Sequence, residues 1–179
     1  QTRINVTLNG VTVNDAESQG SWLVNLPDLG SYIEQVQVQS GANTTPGAIS
    51  YGARIDFRTK EIPNNPFATI SSAYGSFNSF HNTISAGTGL LGKRFSAMAT
   101  FSNIRSDGYM DRATARLNAA FFSAQYKLLN FSKQKDYGTL KFNLLYGSEH
   151  TGLAWNGVSF DSLTTNRTYN SCGEYYTND

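Results

Sequence analysis

The sequence predicts a mainly β protein, and three observations support this. Aromatic residues make up 13% of the 179 residues, with 10 Tyr, 11 Phe and 16 Gly, and aromatic side chains fit the pleated surface of a sheet. Beyond residue 66, apolar and polar residues alternate through long segments. The connections between those segments are alternately short and long, so the segments are expected to form an ordered antiparallel array.

The first third of the chain predicts short strands around a polar break. Residues 4–8 and 11–13 are expected to form a hairpin, because Asn9-Gly10 supplies the two positive φ angles of a type I′ turn. The stretch "LPDLGSYI" (26–33) predicts one helical turn, with Pro27 near its start and Asp28 in the first turn. Strands are predicted at 33–39 and 53–59, on either side of "SGANTTPGAISYG". The stretch "EIPNNP" (61–66) predicts a linker.

Five further strands are predicted after the linker, at 67–75, 79–88, 95–105, 118–130 and 138–149. In the fourth, Ala120, Phe122 and Ala124 share one face and polar residues share the other. In the third, Met98 is an apolar exception on the polar face. Each of these strands is therefore expected to have one apolar side and one wet side.

The connections differ in length at the two ends of the predicted array. Residues 90–94 and 131–137 are short connections, whereas 106–117 and the segment from 150 onward are long; the short 76–78 is an exception. Short turns at one end and long loops at the other are typical of a transmembrane β-barrel. A soluble β-sandwich or β-solenoid is the alternative, although sandwich strands usually have about five or six residues.

Composition and spacing argue against several classes of function. The net charge of +1 lacks the excess of basic residues that is typical of proteins that bind nucleic acids. Cys172 is the single cysteine and His81 and His150 are far apart, so no metal, cofactor or Cys/His catalytic pair is predicted. The stretch "GTGLLGK" (87–93) lacks the spacing and the Ser/Thr of a phosphate-binding loop. The sequence therefore predicts a protein that is not an enzyme.

Four motifs near the N-terminus occur in a specific order: "RINVTLNG", "NDAES", "IEQVQVQSG" and "GARIDFRT". In this order and spacing they resemble the last half of the plug domain of TonB-dependent outer-membrane receptors, the Bacteroidetes type in particular. Downstream, "SAGTGLLG", "RSDGYMDRA", "AWNGV" and "TNRTYNSCGEY" resemble the first barrel strands and loops of the same group. The chain departs from the family pattern at Ser40, Arg54 and Ser171.

The resemblance implies a specific, incomplete architecture. Residues 1–62 would be the C-terminal half of a plug domain, and residues 63–179 would be about five antiparallel strands of a large transmembrane β-barrel. Such barrels have roughly 22 strands and a plugged lumen, so the chain is expected to be a fragment of a longer protein. Ser40 occupies a position at which the family carries an Arg, and that Arg belongs to a salt-bridge cluster between plug and barrel wall. The resemblance therefore implies a weaker contact between plug and barrel in this chain.

The resemblance also implies a function in the outer membrane of a Gram-negative bacterium. That function is the TonB-dependent uptake of a scarce nutrient, with a ferric chelate of siderophore or citrate type as the first expectation. The implied partners are the TonB energy-transducing complex, which would act through a segment upstream of Gln1, the nutrient itself and outer-membrane lipid.

Two alternative functions stay open. One is uptake of an oligosaccharide with a surface lipoprotein partner. The other is an extracellular adhesive or glycan-binding β-protein, which the sequons at Asn5, Asn43, Asn130 and Asn166 would suit.

Candidate ligand-binding residues combine amides, hydroxyls and charges with aromatic rings, as iron chelates and sugars require. Three groups are predicted: Asp15, Glu17, Ser18, Gln19 and Trp22; Asn43, Thr44 and Thr45; and Tyr109, Asp111, Arg112, Trp155, Asn156, Arg167 and Tyr169. The alternative for residues 15–18 is local turn chemistry. For Trp155 and Tyr169 it is an aromatic girdle or loop packing.

Overall fold

The computed structural model of the chain describes residues 4–41, 52–130, 135–152 and 154–172, so Asn43, Thr44 and Thr45 lie outside the described residues. The strands form two sheets. The small sheet has the order β2-β1-β4-β3 and the large sheet the order β5-β6-β7-β8-β9. The strands are β1 (Ile4–Leu8), β2 (Val11–Thr12), β3 (Ile33–Ser40), β4 (Ala53–Thr59), β5 (Phe67–Gly75), β6 (Ser79–Gly87), β7 (Phe95–Ser106), β8 (Ala115–Asn130) and β9 (Lys135–Thr151).

The small sheet begins with the predicted hairpin. Asn9 has φ 51° and Gly10 has φ 83°, and β1 pairs antiparallel with β2 across them. β4 then pairs parallel with β1 and antiparallel with β3. The Asn9 side chain fastens the parallel pair, since its Nδ2 donates to Thr59 Oγ1 at 3.0 Å and its Oδ1 accepts from Thr59 N at 3.0 Å.

The helical turn predicted at 26–33 is present only in part, as one short 3-10 turn at Leu29–Ser31. A second 3-10 turn, Leu23–Asn25, lies before this region, and Pro27 and Asp28 lie between the two turns. Asp28 has φ 47° and ψ 47°, a left-handed conformation that cannot continue a right-handed helix. Asp28 therefore precedes the turn at Leu29–Ser31 instead of lying within it, and its carboxylate makes no capping hydrogen bond.

The large sheet confirms the five predicted strands, each antiparallel to its neighbour. β5 has the predicted bounds. β8 begins at Ala115 and β9 ends at Thr151, so the connection before β8 is shorter than predicted. The first residue of β8, Ala115, pairs with the last residue of β9, Thr151.

The two faces of the large sheet reverse the burial expected of a water-soluble protein. The outer face exposes large apolar side chains, among them Ile70, Ile84, Phe101, Phe122, Leu140, Phe142, Leu144 and Tyr146. The inner face lies against the small-sheet part of the chain and buries Ser96, Thr100, Ser102 and Ser123. The alternation predicted from sequence is therefore present, and protein covers its polar side at β7 and β8.

The ends of the large sheet also differ. One end, here called the loop end, carries residues 76–78, 107–114 and the segment that follows β9. The opposite turn end carries residues 88–94 and the linker, where Leu90 N donates to Asn64 O at 2.7 Å. Phe77 (φ 57°) and Asn78 (φ 53°) close a tight turn of the I′ kind, which explains the short connection at the loop end. None of the described helices is long and apolar enough to cross a membrane.

Candidate functional site: the sheet interface and the loop end

An aromatic and aliphatic core joins the two sheets. The rings of Tyr32 and Phe121 stack with centroids 5.3 Å apart and an interplanar angle of 17°. Met98 and Ile62 complete the buried cluster. Met98, the apolar exception on the polar face of its strand, therefore supplies an apolar contact to the small-sheet part of the chain.

A polar cluster, called here the Asp28 cluster, lies beside this core. His81 Nε2 is 2.9 Å from Asp28 Oδ2, and Ser102 Oγ donates to the same carboxylate oxygen. Thr83 Oγ1 is 3.2 Å from His81 Nε2. The ladder places Thr83 opposite Ser102 on β6 and β7, so both hydroxyl groups lie near His81 Nε2.

The Asp28 cluster contains the residue types of a Ser-His-Asp triad but not its geometry. In a triad, the serine and the aspartate contact opposite nitrogens of the imidazole. Here both Asp28 and Ser102 lie at Nε2, and Ser102 donates directly to the carboxylate. The cluster can hold two parts of the chain together, but it is not arranged to activate Ser102 as a nucleophile.

Sequence reasoning missed this cluster. Asp28 is 53 residues from His81 and 74 residues from Ser102, so no local pattern connects them. Two signals were present: an acidic residue after a proline, and a histidine on the polar face of a strand. Neither indicates a partner by itself.

Burial and charge act together on Tyr32. Desolvation, followed by the negative charge of Asp28, raises the pKa of the Tyr32 phenol to about 12. The phenol is therefore neutral wherever the protein would work.

Two hydrogen bonds within the small-sheet part, and one close approach to the large sheet, hold the segment around Tyr32 at the interface. Lys60 Nζ donates to Ser31 O at 2.6 Å, and Lys60 N donates to Tyr32 O at 2.9 Å. A Cβ atom at Gly147 would lie 2.5 Å from Pro27 Cγ. A side chain at position 147 would therefore force Pro27 away from the large sheet.

The first predicted ligand-binding group forms a structured turn. Asp15 Oδ1 accepts from Glu17 N at 3.1 Å and from Ser18 N at 2.7 Å. These bonds to Ser18 and Glu17 lower the pKa of the Asp15 carboxyl. Gln19 adopts φ 56° in this turn, and the Trp22 ring stays exposed. Turn chemistry thus accounts for Asp15, and ligand contact by this group stays a prediction.

The third predicted group is brought together at the loop end by a hydrogen-bonded network. The Arg112 guanidinium donates to Asn170 O and, at 3.2 Å, to Cys172 O. Asn170 Nδ2 donates to Asp111 O at 2.7 Å, and Asn166 Nδ2 donates to Asp111 Oδ2 at 3.3 Å. Asp111 and Arg112 therefore hold the loop before β8 against the segment that follows β9, which includes Arg167 and Tyr169.

Aromatic rings are exposed at the same end. Tyr109 packs edge-on against Phe77, with centroids 5.4 Å apart. Phe77 was missed from the sequence, because nothing in "SFNS" predicts a bulky residue at positive φ. Trp155 is 79% exposed, and the neighbouring Asn156 Nδ2 donates to Ser171 Oγ at 3.1 Å. Across the described ranges, no three His, Cys, Asp or Glu side chains are grouped to hold a metal ion.

Comparison with known proteins shows likeness in structure. No protein-family model and no curated protein matches the chain. The chain is similar to the pyoverdine outer-membrane receptor FpvA of Pseudomonas aeruginosa bound to pyoverdine, with a TM-score of 0.65 and 16% identity over 81% of this chain and 20% of that one. It is also similar to the unliganded ferric citrate transporter FecA, with a TM-score of 0.70 and 17% identity over 95% of this chain and 26% of that one.

The chain thus spans about a fifth to a quarter of the length of these structures. At these identities the likeness concerns the fold. It confirms the predicted mainly β fold class, in which a small sheet accompanies a run of five antiparallel strands.

Proposed function

We propose that this chain is part of a longer outer-membrane receptor of the Bacteroidetes type, which takes up a scarce nutrient by TonB-dependent transport. The observation that carries the proposal is the reversed burial of the large sheet. Its outer face exposes Ile70 (79%) and Leu140 (68%), whereas its inner face buries Ser96, Ser102 and Ser123. In water such an outer face would promote aggregation, whereas in a bilayer it is the face that lipid covers.

In this proposal the small sheet is the C-terminal half of the plug and the large sheet is a piece of the barrel wall, with the boundary at residues 62 and 63. The inner face is polar because it would line a wet lumen, and it is covered where the plug contacts it. The core around Tyr32 and Phe121 and the Asp28 cluster would hold the plug in place. Force from TonB, applied through a segment upstream of Gln1, would have to break these contacts to open a path.

The proposed substrate is a ferric chelate of siderophore or citrate type. FpvA is described as a pyoverdine receptor and FecA as a ferric citrate transporter, which favours a chelate over other nutrients. The loop end would face the exterior, and its exposed Tyr109, Phe77 and Trp155 would offer apolar rings to the chelate. Binding by the other predicted residues, including Arg167, Tyr169 and the first group, belongs to the same proposal.

An oligosaccharide is the second candidate substrate. The observation that favours it is the exposed Trp155 ring next to the Asn156 amide, because sugars stack on aromatic faces and hydrogen-bond to amides. Binding measurements with both ligand classes separate the two candidates.

The first test examines the full-length protein in detergent. A closed barrel should run at different positions on a gel before and after heating, and a protein that stays soluble without detergent would exclude the membrane location.

The second test titrates ferric citrate, ferric siderophores and oligosaccharides while tryptophan fluorescence is followed. Trp155→Phe should remove much of the quenching, whereas the control Phe95→Leu, at the turn end of the large sheet, should keep it. Binding of none of the iron chelates, together with normal growth of a deletion strain on every iron source, would overturn the iron assignment.

A further inference from the structure

Two arginines face each other on the outer face of the large sheet at its loop end. Arg105 on β7 lies directly opposite Arg116 on β8, and the same row continues to His150 on β9 and to Phe80 on β6. Arg105, Arg116 and His150 are all exposed. Directly opposed residues of an antiparallel pair have their Cβ atoms about 5 Å apart, so the two guanidinium groups share one small area.

Opposed like charges destabilise a sheet unless something compensates them. In the part of the chain that the structure describes, the ion pairs of arginine with carboxylate lie elsewhere: Arg54 and Arg58 pair with Asp56. No described acidic side chain makes an ion pair with Arg105 or Arg116. The pair therefore has the character of a site for an external anion.

The position of the pair relative to the apolar surface indicates which anion. One row closer to the sheet centre, the outer face is polar, and Asn103 Nδ2 donates to Asn118 Oδ1 at 2.8 Å. In the same row, Ser72 Oγ donates to Asn82 Oδ1 at 2.6 Å. The following row is apolar and runs through Ile70, Ile84, Phe101, Ala120 and Tyr146.

Along the strands, the outer face thus changes from apolar to amide to basic within four residues, for example Phe101, Asn103 and Arg105 on β7. A lipid has the same order of chemistry, from hydrocarbon through a polar linkage to a headgroup. The surface therefore matches a single lipid molecule lying along the sheet with its headgroup at the loop end.

We propose that Arg105 and Arg116 bind the phosphate-bearing headgroup of a lipid whose chains lie on the apolar rows below them. The guanidinium fork matches phosphate oxygens in geometry as well as charge, and one phosphate between the two arginines removes their mutual repulsion. The site rests on the proposed membrane location but adds a specific ligand class, and it does not depend on which nutrient is transported.

The test uses full-length protein purified in a neutral detergent, with native mass spectrometry to count bound lipids. The probes are phosphatidic acid, phosphatidylcholine with the same acyl chains, and inorganic phosphate. We expect wild-type protein to retain phosphatidic acid in preference to phosphatidylcholine. The double variant Arg105→Gln/Arg116→Gln should bind phosphatidic acid roughly 30-fold more weakly, since each basic residue near a membrane surface contributes about a factor of five.

The matched control removes two charges from the other end of the same sheet, as Lys93→Gln/Arg94→Gln, and should keep wild-type affinity. The double variant Arg105→Lys/Arg116→Lys keeps the charge but loses the fork, and should fall between wild type and the glutamine variant. Equal affinity of wild type and the glutamine variant would overturn the proposal. So would equally tight binding of inorganic phosphate, because it would show a simple anion site.

Gel mobility before and after heating separates a failure of the lipid site from a failure of the proposed function. A glutamine variant that forms a barrel and binds nutrient but has lost the lipid preference supports the site. A wild-type barrel that transports nutrient without any preference for phosphatidic acid removes this site and leaves the proposed function intact. A wild-type protein that forms no barrel removes both.

Discussion

The Asp28 carboxylate joins the two sheets, and its position depends on an unusual backbone conformation. Asp28 adopts φ 47°, and its carboxylate makes no capping hydrogen bond to the turn that follows but contacts His81 and Ser102 on the large sheet. Asp and Asn tolerate the left-handed region better than most residues do. An aspartate therefore suits both the left-handed backbone at position 28 and the hydrogen bonds to His81 and Ser102.

Asp28→Asn should loosen this contact without disturbing the backbone. The amide keeps the shape and the left-handed tolerance but loses the charge, and hydrogen bonds to a charged group contribute about 1.5–3 kcal/mol. Amide hydrogen exchange across residues 29–33 of the full-length protein should accelerate roughly 10- to 100-fold. Asp107→Asn is the control, because that carboxylate accepts from Asn78 at the loop end. Unchanged exchange at 29–33 would show that the cluster contributes little to docking.

Tyr32 gives a prediction on pH. Its phenol has an ordinary pKa of 10.0, raised to about 12 in the folded protein by burial and by Asp28. The folded state holds the proton more tightly than the unfolded state, so this contribution to stability is complete below pH 10 and is lost as the pH rises from 10 to about 12. Absorbance at 295 nm should show a tyrosinate component near pH 12 that is missing in Tyr32→Phe. A component centred at pH 10 instead would mean that Tyr32 is not buried in solution.

The two faces of strand β8 differ in their surroundings, since one face packs against protein and the other is exposed. Phe121 is 1% exposed and packs on Tyr32, whereas its neighbour Phe122 faces outward and is 38% exposed. Because successive side chains of a strand point to opposite faces, the same residue type contacts the small-sheet part at one position and the surroundings at the next.

These neighbours make a matched pair for mutation. Phe121→Ala should destabilise docking of the segment around Tyr32 by about 3 kcal/mol, as large-to-small changes at buried aromatics do. Phe122→Ala should leave docking nearly unchanged, because its ring does not belong to the buried cluster. Limited proteolysis of residues 23–32 measures the difference. Equal sensitivity in both variants would contradict the assignment of the inner and outer faces.

At the scale of the whole molecule, the outer face decides where the protein can be stable. Leu144→Arg places a charge in the apolar band and should cost about 2–4 kcal/mol if lipid covers that band. Thr139→Arg on the same strand adds a charge to the opposite, inner face and should be tolerated. Barrel formation of the full-length variants in lipid vesicles, followed by gel mobility, gives the comparison. A harmless Leu144→Arg would argue that the band faces water or protein.

Local chemistry explains why much of the strand pattern was predictable. The bounds of β4 and β5 follow from alternation and from the turn residues beside them, since both signals lie within a few residues of the strands. The Asn9-Gly10 hairpin is readable for the same reason. Among the candidate site residues, Asp111, Arg112, Asn156 and Tyr169 were predicted from motifs, and the structure places them at one end of the large sheet.

The alternation of apolar and polar residues along the chain predicts β-strands with one apolar and one polar side, because that period of two is a local property. Which side is covered depends on how the two sheets pack. The folded structure places Met98 and Phe121 in one buried cluster with Tyr32, pairs β1 parallel to β4, and joins Asp28 to His81 and Ser102. These contacts connect residues that are far apart along the chain, and such pairings form only when distant segments come together in the folded protein.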